Sequence, residues 1–149
     1  MTSTIPYEGI RPGEIIGYRV WRLERNKLRA VTADYMWKRG ANGPATDMAT
    51  TGGFYALKEL SDAMRMLMLG SPCAIGKIAM WGEVIEHEQG YRAEYATIVE
   101  LMDICLDEND RKPRANRDRM TEAMWERYLV AWKKETDATM MKLRRSYGL

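Results

Sequence analysis

The chain has 149 residues, 46% of them apolar and 30% charged, with a formal net charge of +2. That length suits one ordinary domain with a core of its own, and that composition excludes a disordered chain. No apolar run approaches the ~20 residues of a membrane-spanning helix, and the first residues lack the apolar centre of a signal peptide, so the expectation is a cytoplasmic protein with no membrane partner. The charge is unevenly spread. Met1–Asp110 holds 12 Lys and Arg against 16 Asp and Glu, whereas Arg111–Leu149 holds 11 against 5. A basic C-terminal quarter follows an acidic body.

Pro6, Gly9, Pro12 and Gly13 make the opening residues an irregular arm. IIGYRVWRL, Ile15–Leu23, reads as a strand with Tyr18 and Val20 on one face and Arg19, Trp21 and Leu23 on the other. A turn near Asn26 leads to a second strand around Leu28–Thr32. Met36–Leu57, with Gly40, Gly43, Pro44, Gly52 and Gly53, reads as one long loop. A helix then fits SDAMRMLML. Ser61 is its N-cap, Met64, Leu67 and Met68 its apolar stripe, and Gly70 its C-terminal stop.

Ile75–Glu88 alternates as a strand. Ile78, Met80 and Val84 share one face and Ala79, Trp81 and Ile85 the other, and Gly82 predicts a bulge or a close backbone approach. Gln89-Gly90 is expected to supply a positive-φ turn, and Tyr91–Leu101 to return antiparallel, with a helix over Ala93–Cys105 as the competing reading because Ala96, Val99 and Glu100 would also allow one. Leu106–Arg119 is polar and reads as a linker. From Arg117, capped by Asn116, the apolar positions Met120, Met124, Tyr128, Ala131 and Trp132 recur with a 3.6-residue period and predict a helix to about Arg145.

Side chains suited to chemistry are sparse. His87, the one histidine, sits between Glu86 and Glu88, and consecutive strand residues point to opposite faces, so a solvated hairpin end is expected rather than a metal or catalytic site. Asp103, Asp107, Glu108 and Asp110 lack the spacing of a calcium loop. Cys73 and Cys105 form no zinc-type spacing and read as thiols of a reducing compartment. No phosphate-binding glycine motif and no nucleophile elbow is present. The basic positions are interleaved with Glu122, Glu126, Glu135 and Asp137, as on any solvated helix.

GYRVWRL, Gly17–Leu23, followed by GFYAL, Gly53–Leu57, and GKIAMWGEVIEHEQGYRAEYA, Gly76–Ala96, resembles a family of small bacterial and phage proteins of uncharacterised function. In that family a GYRxW strand precedes a GxYA segment, and a WGxVxxHxxGYRAExA hairpin closes the domain. The resemblance covers Gly13–Leu101 and is specific over Trp81–Glu94. It implies a shared α+β domain and brings no established activity and no catalytic residues. Many members carry cysteines and a histidine just before GxYA, a set suited to zinc. This chain reads ATDMATT there, Ala45–Thr51, so the resemblance implies no metal here.

These readings predict an α+β fold: a twisted antiparallel sheet or partly open barrel with one short helix, followed by a long C-terminal helix. Residues 1–105 form the α+β domain, 106–116 the linker, and 117–149 a helix that either completes the domain or serves as an interaction arm. The expected function is that of a non-enzymatic binding protein, an accessory or inhibitory factor of phage or mobile-element type with no cofactor. Its partner would be another protein or a second copy, held through the C-terminal helix and the Met36–Gly53 loop. The expected contact residues are Arg111, Lys112, Arg114, Arg127, Lys134, Met140 and Met141. Two alternatives remain: a nucleic-acid-binding module using the basic C-terminal segment, and an enzyme with a carboxylate-based site.

Overall fold

The computed structural model describes residues 14–31, 33–67, 72–106 and 121–149. Five strands, β1 (Ile15–Glu24), β2 (Lys27–Arg29), β3 (Phe54–Leu57), β4 (Cys73–Glu86) and β5 (Gly90–Cys105), pair antiparallel in the order β2-β1-β3-β5-β4. Helix α1 (Leu60–Leu67) lies between β3 and β4, and α2 (Glu122–Ser146) follows β5. The fold is α+β, as expected. The sheet curls, because β1 also pairs with β4 from Ile15↔Met80 to Arg22↔Cys73. It is not a clean barrel, since β1 meets β3 at the single register pair Tyr18↔Leu57.

The β1–β2 turn is made by Arg25 and Asn26, both at positive φ (51° and 61°), the conformation that matches strand twist in a two-residue hairpin. The β4–β5 ladder shifts register between Trp81 and Val84, where Gly82 sits at φ 78°. This is the bulge that an in-strand glycine announces. Gly90 departs from expectation. It is not at positive φ; a Cβ there would lie 2.2 Å from Ala56 O. It is glycine because β3 packs against it, and the hairpin closes instead through His87 N–H donating to Gly90 O at 2.8 Å.

Alternation divides the buried residues between two faces. Trp21, Ala74, Ile78, Met80, Ala93, Ala96, Ile98, Leu101 and Ile104 point into the main core, which Trp37, Phe54, Met140, Leu143 and Tyr147 complete. Val20, Cys73 and Ile75 point the other way and bury Ala63 of α1. The expected stripe on that helix is therefore rotated: Ala63 is fully buried and Met64 is exposed. The helix begins at Leu60, so Ser61 lies inside its first turn rather than capping it. Gly70 and Met68 fall outside the described residues.

The segment expected to be one loop is more ordered than its glycines suggest. Its end is strand β3, paired from Phe54↔Ala93 to Leu57↔Gly90. Its beginning continues β2, with Trp37 N–H donating to Leu28 O at 2.9 Å. Between them, Asn42 forms a bridge with Ala96, and Ala45 N–H donates to Glu94 O. The Asn42 side chain, 1% exposed, accepts from Lys38 N–H and the Tyr35 hydroxyl and donates to Lys38 O and Gly40 O. A buried amide needs that many partners, and here they fix the chain path from Lys38 to Ala45.

Helix α2 is capped by Thr121, whose side chain accepts from Met124 N–H. Its 25 residues span about 37 Å at 1.5 Å per residue. Only its C-terminal end enters the main core, through Met140, Leu143 and the following Tyr147. Arg144 adds a hydrogen bond to Leu101 O at 3.0 Å. The expected Asn116 cap lies outside the described residues.

Candidate binding groove

The splay between β1 and β3 opens a groove of about 1170 Å³. Its walls come from β1, β3, the 30–53 segment and the His87–Arg92 end of the β4–β5 hairpin. Three of the body's exposed large apolar side chains, Val31, Tyr55 and Met66, line it.

Its aromatic wall is built edge to face. Tyr35 and Phe54 lie 5.5 Å apart between ring centroids, and Trp37 and Phe54 5.1 Å apart. Trp37 also meets Trp21 at 5.6 Å and 83°. Such T-shaped contacts add about 0.5–1.5 kcal/mol per pair beyond area burial, so this wall is preformed.

Arg19 sits at the splay. Its Nη1 donates to Tyr55 O at 2.7 Å, and its guanidinium lies 4.8 Å from the Trp37 ring centroid. It supplies the hydrogen bond that strand pairing no longer provides after Tyr18↔Leu57. The residue as a whole is half-buried, but its charged end is enclosed. Desolvation pushes its pKa down to about 10, which still leaves it charged at neutral pH. Its Nε, and the Nε1 of Trp37, are closed off from solvent and have no hydrogen-bond acceptor.

Arg92, 6% exposed, holds the opposite wall. Its Nη1 donates to Met48 O at 2.6 Å and Gly52 O at 2.8 Å, and its Nε donates to His87 Nε2 at 3.2 Å. The exposed His87 thus ends the hairpin, as expected, and also receives a hydrogen bond that the sequence did not reveal. Asp47 turns the chain at φ 58°, and its carbonyl accepts from Thr50 and Gly52 N–H. Among the described residues no three His, Cys, Asp or Glu side chains gather where a metal ion could sit.

The contact residues expected from the sequence do not converge here. Arg127 and Lys134 are exposed on α2, two turns apart, and Arg127 Nε donates to Ala123 O. Met141 is 60% exposed on the same helix. Met140 is a correction: the helix turns it into the main core, where it is 7% exposed and no contact surface. Arg111, Lys112 and Arg114 lie outside the described residues. Cys73 and Cys105 are register partners across β4 and β5. The groove residues Arg19, Tyr35, Trp37, Phe54 and Arg92 were missed as a site. One signal was legible, an arginine placed by alternation on the same strand face as Trp21.

No family model, no curated protein and no solved structure matches this chain. No described helix is long and apolar enough to cross a membrane.

Proposed function

We propose that this is a non-enzymatic binding protein, an accessory or inhibitory factor of the cytoplasm, that takes an extended segment of a protein partner into the β1–β3 groove. The observation that carries the reading is the grouping of Val31, Tyr55 and Met66 around one preformed aromatic wall. Single exposed apolar residues are ordinary, but several along one concavity mark a contact surface. The chemistry of the walls supports binding rather than turnover: His87 Nε2 is occupied by Arg92, and Arg92 holds two backbone carbonyls. In this reading the Met36–Gly53 loop supplies one wall of the contact surface.

The test is affinity capture from a native lysate by the wild-type chain and by a Val31→Glu/Met66→Glu double variant. Both changes fall on exposed positions and leave the core alone. A discrete protein retained by wild type through high salt and lost by the variant is the expected result. Equal retention by both overturns the groove as the contact surface. Nucleic acid that elutes with salt, with no retained protein, replaces this reading by the nucleic-acid one.

A further inference from the structure

We propose that the groove recognises a carboxylate within the segment it binds, and that Arg19 is the residue that reads it. This rests on the groove reading above and names the chemistry of its occupant. Arg19 is a cation with no carboxylate partner among the described residues: its contacts are Tyr55 O and the face of Trp37. An enclosed charge without a counter-charge is costly, and such groups are normally paired. The bond to Tyr55 O uses one guanidinium nitrogen and cancels no charge. Next to it, Arg19 Nε and Trp37 Nε1 are buried donors without acceptors, and orphaned buried donors are rare in folded proteins.

The other charges of the groove narrow the assignment. Arg19, Lys38 and Arg92 line it against one carboxylate, Asp47. Arg92 is committed to Met48 O, Gly52 O and His87. Lys38 is exposed, and Asp47 lies on an exposed turn. Arg19 alone combines enclosure, a fixed stacked orientation and unused charge, which is the arrangement that favours a planar carboxylate. With Tyr35, Trp37 and Phe54 forming the wall beside it, the fitting segment is extended, with an acidic side chain next to an aromatic or large apolar one.

The test titrates the isotope-labelled full chain and follows the Arg19 Nε–H and Trp37 indole N–H signals. The probes are a pool of capped tetrapeptides of the pattern apolar-Glu-aromatic-apolar, the same pool with Gln for Glu, and benzoate. The Glu pool is expected to bind about tenfold tighter than the Gln pool, the scale of one charge-assisted hydrogen bond. Arg19→Met is expected to abolish that preference. If that variant does not fold, Arg19→Lys, which keeps the charge without the planar fork, is expected to reduce the preference to about threefold. Equal binding of both pools by wild type overturns the carboxylate inference and leaves the groove reading standing. Benzoate binding as tightly as the Glu pool keeps carboxylate recognition and overturns the protein-segment reading. No shift at Trp37 with any probe overturns both.

Discussion

The hydroxyl of Tyr147 accepts a hydrogen bond from Leu28 N–H at 2.8 Å across 119 residues of sequence, and it donates in turn to Trp37 O at 3.1 Å. One phenol thus ties the end of α2 to β2 and to the aromatic wall of the groove. Tyr147→Phe keeps the ring in the core but leaves a buried donor and a buried acceptor unmatched. The expected loss is about 2–3 kcal/mol of stability, with the fold retained. Chemical denaturation with matched slopes for the two proteins checks it.

The same contact makes stability sensitive to alkali. Burial raises the Tyr147 pKa above its usual 10.0, against a smaller lowering by the Leu28 hydrogen bond, and burial raises Tyr35 as well. Above the unfolded value, the unfolded chain loses its phenol protons before the folded one. The stability these two phenols contribute is therefore full below pH ~10 and is lost as pH rises through their folded values. Across that range, denaturation midpoints of wild type are expected to drop relative to those of Tyr147→Phe, because only wild type carries the Tyr147 share.

Arg92→Lys keeps a cation but loses the Nε donor to His87, and its single flexible ammonium must reach Met48 O and Gly52 O without the guanidinium plane that fixes Nη1 between them. It is expected to cost about 2 kcal/mol and to act locally. Backbone amide exchange at Thr50 and Gly52, whose N–H groups bond to Asp47 O, should quicken more than exchange along β4. A uniform increase at all sites would mean that Arg92 supports the whole sheet rather than this wall.

Gly76 is a packing requirement. A Cβ there would lie 2.1 Å from Glu100 O, which is backbone and cannot step aside. Gly76→Ala is expected to cost at least about 3 kcal/mol or to prevent folding. Gly40→Ala is the control. It sits at φ 79° with nothing within 4 Å, so only backbone strain opposes it, about 1 kcal/mol. Thermal unfolding of the two variants should separate them widely.

The parts of the fold legible in the sequence are those set by local period. Alternation over Ile75–Glu88 grouped Ile78, Met80 and Val84 on one face, which the structure turns to the main core, and Gly82 marked the irregularity in the strand. β3 was lost inside a glycine-rich stretch because its four residues gain their order from Gly90–Ala93, more than 30 positions away. Gly90 looked like a turn residue and is instead a close-approach residue, a distinction made only by Ala56 O. Met140 and Met141 differ by one helical step, and the spacing Met140, Leu143, Tyr147 was available to tell the buried one from the exposed one. The groove was illegible because its parts come from four separated segments. Arg19 stood out only as a charge beside Trp21, and its partner Tyr55 O lies 36 residues on.

The splay between β1 and β3 has a mechanical side. β3 is stitched to β5 by four register pairs and to β1 by one, while β4 and β5 share a ladder running from Cys73↔Cys105 to Glu86↔Tyr91. The lone pair Tyr18↔Leu57 is thus the narrowest seam of the curled sheet. Arg19 bridges that seam from β1 to β3 through Tyr55 O, as a rivet set where the stitching runs out. Strand pairing is densest along the long hairpin and sparsest at this one seam, and the seam borders the groove.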